Sequence, residues 1–76
     1  MTKTIVFQIF EATFNVSKDK IELTTTPNDI DQWDSLGHVM LIQAIEEKFN
    51  IQFELDELLS IEKLEDIITL VDNKKE

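Results

Sequence analysis

Apolar side chains recur at helical spacing near the start of the chain. Phe7, Phe10 and Phe14 follow the i, i+3, i+7 spacing of one helical face. Ile5 and Val6 favour strands, but the helical spacing continues beyond the usual length of a strand. We therefore predict a first helix over residues 3–14.

The strongest periodic pattern lies in residues 36–49. Leu41, Ile45 and Phe49 repeat every four residues with Ile42 beside them, and charged side chains lie outside this face. Asn50 interrupts the pattern. The sequence thus predicts a second helix that buries these four apolar residues and ends at Asn50.

Two shorter elements are predicted near the carboxyl terminus. Residues 56–59 can form one helical turn, with Asp56 as its N-cap. Ser60 is then predicted to cap the last helix. The inward row predicted for that helix is Ile61, Leu64, Ile68 and Val71, with Ile67 and Leu70 beside it.

A polar segment, residues 15–33, separates the first two helices. Thr26 precedes Pro27 and is therefore pushed toward extended backbone geometry. A loop of this length is uncommon in a small domain unless it has a function or is held by contacts. The apolar residues predicted to hold it are Ile21, Leu23, Ile30 and Trp33.

Together these elements predict an all-α fold in a single domain, residues 1–76. We expect a small up-down bundle of three main helices and one short helix, with a long loop between helices one and two. The 42% hydrophobic content, with one glycine and one proline, is typical of a compact helical domain. Because a chain of this size buries only about 60% of its unfolded surface, we expect no deep substrate pocket.

Charge and composition narrow the function further. Sixteen acidic and seven basic residues give a net charge of −9, and every basic residue is a lysine. We therefore expect no nucleic-acid partner and favour partner proteins with basic surfaces. The first residues do not form a signal peptide, and no apolar run has the length of a membrane span. These features predict a cytoplasmic monomer without membrane insertion.

Metal and catalytic chemistry find little support in the sequence. Asp29 and Asp31 have the spacing of a calcium loop, but Asp34 stands where the loop needs glycine. The chain has no cysteine, so thiolate metal sites are excluded. Ser35 and His38 have a spacing that allows contact on a helix, which raises a hydrolase hypothesis. We see no third orienting residue or oxyanion hole, and we expect His38 to face solvent.

The dipeptide Asp34-Ser35 by itself indicates only a helix cap. In its setting, however, Asp34-Ser35-Leu36 follows an acidic loop and opens an apolar helix, and it resembles the attachment motif of acyl carrier proteins. These are phosphopantetheine-binding carrier domains. The resemblance extends over the whole chain, including its acidity, its long loop and the Glu-Glu-Lys-Phe sequence at residues 46–49.

This resemblance implies that Ser35 carries phosphopantetheine from coenzyme A, and that the thiol of this arm holds an acyl or aminoacyl group as a thioester. It implies a carrier without catalytic activity of its own. The implied partners are a magnesium-dependent phosphopantetheinyl transferase, an acyl- or aminoacyl-loading ligase, and downstream acyltransferases, synthases or condensing enzymes.

Partner recognition is expected around the second helix, by the same resemblance. The residues implied are Asp34, Leu36, Val39, Met40, Gln43, Glu46 and Glu47. From the residues alone, Leu36 and Val39 also fit ordinary core positions. Met40 is expected to be exposed, where a flexible thioether suits adaptable binding. Trp33 is expected to be buried in the core rather than at the rim of the interface.

The residues around the motif bear on the pathway. Carriers of fatty acid synthases typically have glycine two residues before the motif aspartate and an acidic residue soon after Ser-Leu, whereas here Gln32 and Gly37-His38 occupy these places. The chain looks more like discrete carriers of polyketide, nonribosomal peptide, surface-polysaccharide or cell-wall pathways. The alternatives are a carrier of general fatty acid synthesis and an acidic interaction module without a prosthetic group. Gly37 weakens the helix by up to about 1 kcal/mol relative to alanine, which suggests close approach by a partner or the arm.

Overall fold

Four α-helices and two 3₁₀ turns make up the computed structural model, which describes residues 2–75. The helices are α1 (Thr2–Phe14), α2 (Ser35–Phe49), α3 (Leu55–Ser60) and α4 (Leu64–Lys75). The 3₁₀ turns, Lys18–Lys20 and Pro27–Asp29, lie in the long segment between α1 and α2. The prediction of an all-α fold with three main helices and one short helix is confirmed. Within the described residues, none of the helices has the length and apolar character needed to cross a membrane.

Helix α1 buries one row of side chains at four-residue spacing. This row consists of Val6, Phe10 and Phe14, and Asn15 follows in a left-handed conformation with φ of 55°. Phe7, on the predicted face, is half-buried and packs against the core. Successive residues differ by about 100° around the helix, so Phe7 lies at the edge of the face that Val6 occupies.

Helix α2 buries the face that its periodicity predicts. Leu41, Ile42 and Ile45 are buried, and Phe49 is half-buried against the same core. Asn50 has a left-handed conformation with φ of 58°, and its N–H donates to the Glu46 carbonyl. This bond closes the helix end that the sequence indicates.

The long segment is held down by the apolar residues that the sequence predicts. Ile21, Ile30 and Trp33 are buried, and Leu23 is half-buried. The buried Thr25 hydroxyl accepts a 2.7 Å hydrogen bond from the Glu22 N–H, which tightens the turn between them. The segment is therefore a packed part of the core.

The same segment closes the start of α4. The Leu64 N–H donates to the Thr25 carbonyl at 2.9 Å, and the Glu65 N–H donates to the Leu23 carbonyl at 3.0 Å. The first N–H groups of a helix have no partner within the helix, so these carbonyls satisfy donors that would otherwise need a local cap.

The predicted caps of the two last helices were wrong. Ser60 ends α3, and its hydroxyl donates to the Glu57 carbonyl at 2.8 Å. Helix α3 begins two residues earlier than predicted: Glu54 is its N-cap, and Asp56 lies within its first turn. The Glu54 N–H donates to the Glu57 carboxylate at 2.7 Å, so the third residue of the helix closes its start.

Helix α4 consequently has a different buried row. Ile61 precedes the helix but is still buried, and Leu64, Ile67 and Val71 form its inward face. Ile68, which the sequence pattern placed inward, is only half-buried. At the other end of the helix, the Thr2 hydroxyl donates to the Asp72 carboxylate at 2.7 Å and joins α1 to α4.

The two faces of α2 predict different costs of truncation. Leu41→Ala should lower the free energy of unfolding by about 2–5 kcal/mol, because Leu41 is 0% exposed and its removal leaves a cavity. Met40→Ala should change it by about 0.5 kcal/mol, because Met40 is 49% exposed. Urea unfolding of both variants measures the difference, and equal losses would show that the faces are wrongly assigned.

Candidate functional site

Ser35 is the first residue of α2, and Asp34 is the N-cap of that helix. The Asp34 carboxylate accepts a 2.8 Å hydrogen bond from the Gly37 N–H, and the Asp34 carbonyl accepts one of 2.7 Å from the His38 N–H. These two bonds fix the first turn of α2. Asp34 alone performs the capping that the sequence assigned to the dipeptide, so the Ser35 side chain is not needed for it.

The three serine hydroxyls differ in their hydrogen bonds. The Ser17 hydroxyl accepts from the Asp19 N–H at 3.3 Å, and the Ser60 hydroxyl donates to the Glu57 carbonyl. Ser35 is exposed, and within residues 2–75 no hydrogen bond to its hydroxyl is formed. Ser35 therefore presents a hydroxyl that is free for covalent modification.

The start of α2 favours negative charge next to Ser35. The aligned peptide dipoles of a helix place partial positive charge at its amino terminus, and α2 has 15 residues. The N–H groups of the first turn point toward this end. A phosphodiester on Ser35 would thus lie where the helix stabilises an anion.

Gly37 allows the segment before Ser35 to lie directly on α2. A Cβ at Gly37 would collide with the carbonyl oxygen of Gln32 and would lie 3.1 Å from a ring carbon of Phe14. The hypothesis that a partner or the arm needs this space is wrong, because the protein's own backbone occupies it. Gly37 thereby helps to bring Asp34 into capping position.

His38 connects three parts of the site. Its Nδ1 accepts a 2.9 Å hydrogen bond from Trp33 Nε1, and its Nε2 lies 3.2 Å from the Leu58 carbonyl oxygen in α3. Because an indole N–H can only donate, we assign the ring proton to Nε2, which then donates to Leu58. The expectation that His38 faces solvent was wrong, since its half-buried ring has both nitrogens engaged.

These contacts also argue against a Ser35–His38 catalytic pair. A general base needs a ring nitrogen that can accept the serine proton, and both nitrogens of His38 are directed at Trp33 and Leu58. Among residues 2–75, no group of three or more His, Cys, Asp or Glu side chains could hold a metal ion.

An exposed apolar surface borders Ser35 on α2. Leu36 is 70% exposed, Val39 51% and Met40 49%, so neither Leu36 nor Val39 is a core residue. Gln43 and Glu47 are exposed farther along the helix.

Glu46, another residue implied in partner recognition, is engaged within the chain. It is half-buried, and its carboxylate accepts a 2.9 Å hydrogen bond from the Phe53 N–H. This contact holds the connection between α2 and α3.

Two exposed leucines of α3 were missed in the sequence. Leu55 and Leu59 of α3 are 71% and 76% exposed. The signal was present, because a six-residue helix with three leucines exposes some of them when it packs through one face.

An open cleft of about 380 Å³ lies between α3 and the start of α2. Its lining is Pro27, Trp33, Asp34, Ser35, His38, Leu58, Leu59 and Ile61.

Comparison with known families identifies the kind of protein to which the chain belongs. The family described as the phosphopantetheine attachment site matches residues 5–71. The chain belongs to this family of carrier domains. Members bind phosphopantetheine covalently, and carrier domains generally interact with phosphopantetheinyl transferases and biosynthetic enzymes. No curated protein matches the chain.

The short helix of this carrier domain is tied to α4 by an ion pair. Glu57 Oε1 lies 2.9 Å from Lys74 Nζ, and Lys74 also lies over the Phe53 ring, 5.9 Å from its centroid. The pKa of Glu57 is lower than its ordinary value. The larger cause is the hydrogen bond from the Glu54 N–H and the smaller is the contact with Lys74, because both stabilise the ionised carboxylate.

Acidification should remove the stabilisation that the Glu57 carboxylate gives to the fold. Since the pKa of Glu57 is lower in the folded carrier than in the unfolded chain, the carboxylate stabilises the fold above the unfolded value, and the effect is lost as the pH falls through the folded value. Glu57→Gln should therefore have a lower Tm than wild type at neutral pH, and the two should converge in acid. Glu47→Gln, at an exposed position, controls for the lost charge. A difference in Tm that is the same at every pH would contradict this assignment.

Gly37→Ala should destabilise the carrier by about 1–3 kcal/mol, because the added methyl group meets the Gln32 carbonyl and Phe14. Helix propensity alone predicts the opposite, an increase of about 1 kcal/mol in the free energy of unfolding. Urea unfolding decides between them. Gln43→Ala, at an exposed position of α2, is the matched control. A Gly37→Ala variant more stable than wild type would show that Gln32 does not approach the helix.

Proposed function

We propose that the phosphopantetheine arm is attached to Ser35 and that the protein delivers acyl or aminoacyl groups, held as thioesters, to biosynthetic enzymes. One observation carries the proposal: Ser35 has an exposed hydroxyl, free of internal hydrogen bonds within residues 2–75, at the first position of α2. This position lies inside the segment that matches the family. The Asp34-Ser35-Leu36 motif points to the same residue.

The chain's residues fit this attachment. In the modification, the Ser35 hydroxyl oxygen forms a bond to the phosphorus of the arm and the pyrophosphate bond of coenzyme A breaks. Adenosine 3′,5′-bisphosphate leaves, the hydroxyl proton is released, and the product is a phosphodiester. The arm supplies a thiol for thioester formation, and the chain itself has no cysteine. Asp34 holds the first turn of α2 through its own bonds, so esterification of Ser35 leaves the cap intact.

We propose that the protein acts by delivery and does not catalyse the reactions of its cargo. A tethered group meets its enzymes at a high effective concentration, which raises the rate of encounter without new contacts. The exposed Leu36, Val39 and Met40 offer partner enzymes an apolar surface beside Ser35. Asp34 and Glu47 add exposed negative charge, which favours basic partner surfaces.

The surface of α2 favours a specialised pathway over general fatty acid synthesis. No acidic residue lies between Ser35 and Glu46, and Glu46 is partly engaged by Phe53. The resemblance to fatty-acid-synthase carriers predicts an acidic residue soon after the Ser-Leu pair. We therefore propose polyketide, nonribosomal peptide, surface-polysaccharide or cell-wall biosynthesis as the setting.

Incubation with coenzyme A and a broad-specificity phosphopantetheinyl transferase tests the attachment. Intact mass spectrometry should show wild type gaining the mass of one arm. Ser35→Ala should gain none, whereas Ser17→Ala and Ser60→Ala should be modified like wild type. Failure to modify wild type under conditions that modify a control carrier would refute the proposal, as would a modified Ser35→Ala variant.

A further inference from the structure

His38 lies between two parts of the chain that border the cleft beside Ser35. Trp33, two residues before Ser35, donates to one ring nitrogen, and the Leu58 carbonyl of α3 faces the other. Both residues line the cleft together with Ser35. A single imidazole thus joins the segment that leads to Ser35 with the short helix across the cleft.

Helix α3 depends on this link because it has few other attachments. Within residues 2–75, two polar side-chain contacts join it to other helices, the His38–Leu58 contact and the Glu57–Lys74 ion pair. Its Leu58 is half-buried, whereas Leu55 and Leu59 are exposed. The ion pair is partly exposed, and such pairs contribute little to stability. The hydrogen bond from His38 is therefore a main determinant of where α3 stands.

We infer that His38 is a positioning residue for modification of the carrier. Through its bond to the Leu58 carbonyl it holds α3 at a fixed place relative to the first turn of α2, so that the leucines of α3 and the apolar face of α2 meet a modifying enzyme together. The inference rests on the proposed attachment at Ser35. It assigns His38 no contact with the reacting atoms, because both ring nitrogens are used within the protein.

Two substitutions separate the two bonds of the ring. The side-chain oxygen of asparagine can stand where Nδ1 accepts from Trp33, but asparagine is too short to reach Leu58. The side-chain amide of glutamine can reach the Leu58 carbonyl as Nε2 does, without the Nδ1 acceptor. His38→Asn should therefore keep the Trp33 bond and lose the α3 bond, and His38→Gln should do the reverse.

Nuclear magnetic resonance of the unmodified full chain tests the bridge itself. The ¹⁵N pattern of His38 in wild type should show a neutral ring with its proton on Nε2. His38→Gln should shift the indole N–H resonance of Trp33, the one tryptophan of the chain. The Leu58 N–H donates to the Glu54 carbonyl at the start of α3, so its hydrogen exchange reports opening of that helix. His38→Asn should speed this exchange about five-fold, because opening no longer breaks the bond from His38 to the Leu58 carbonyl. A wild-type ring with its proton on Nδ1 would overturn the inference, as would equal Leu58 exchange in the two variants.

Steady-state kinetics of phosphopantetheinyl transfer test the functional part. His38→Asn should raise KM for the carrier about five-fold with kcat unchanged, because docking is weakened and the Ser35 hydroxyl is unaltered. His38→Gln should stay near wild type. Lys74→Ala, which removes the partly exposed ion pair to α4 and leaves both His38 bonds intact, should also stay near wild type, because such pairs contribute little.

Wild-type KM in His38→Asn, despite faster Leu58 exchange, would overturn the positioning role. A loss in kcat alone would overturn it too, since that result places His38 in the chemical step. Complete failure to modify wild type would instead refute the attachment at Ser35, and the resonance measurements would still decide whether the bridge exists.

Discussion

The burial of Trp33 against α1 fixes the place of Ser35. The indole is 2% exposed and packs edge-to-face on Phe10, with ring centroids 5.0 Å apart. A buried indole N–H needs an acceptor, and His38 of α2 provides it. Because Asp34 and Ser35 follow Trp33 directly in the chain, the same contacts that bury the ring hold the start of α2 in place.

The segment between α1 and Trp33 stabilises this small domain through backbone contacts that packing between helices does not provide. The chain has no disulfide, and a domain of this size has a limited core. The carbonyls of Leu23 and Thr25 close the start of α4, and the Gln32 carbonyl lies against Gly37 of α2. One loop thus organises the ends of two helices. Ser35 stands at one of those ends with its side chain free for another use.

Helix α2 could be predicted closely from sequence because its signals are local. Four-residue spacing of Leu41 and Ile45, an aspartate cap and Asn50 all act within the helix itself. The boundary between α3 and α4 was predicted wrongly because Ser60 is a strong local cap signal. The Leu64 and Glu65 N–H groups at the start of α4 are instead bonded to carbonyls far away in sequence. Periodicity carries no information about such contacts.

The candidate site shows the same difference between features that depend on local sequence and features that depend on distant contacts. The motif points to Ser35 as the proposed attachment residue, and the exposure of Met40 was predicted from its place outside the buried face. The residues alone left open whether Leu36 lies in the core, and only the family resemblance placed it at the interface. The roles of Gly37 and His38 depend on residues that only the folded chain brings together. A single histidine in the first turn of a helix, among residues expected to be exposed, predicts contact with solvent. The hydrogen-bond partners of His38 come instead from a loop and from another helix.

Delivery by this protein requires that the arm is attached to Ser35. Peptide mapping by tandem mass spectrometry, on protein purified from cells that naturally produce it, locates the arm directly. We expect phosphopantetheine on the peptide that contains Ser35. An unmodified Ser35 in cells whose other carriers are modified, or an arm on Ser17 or Ser60, would contradict it.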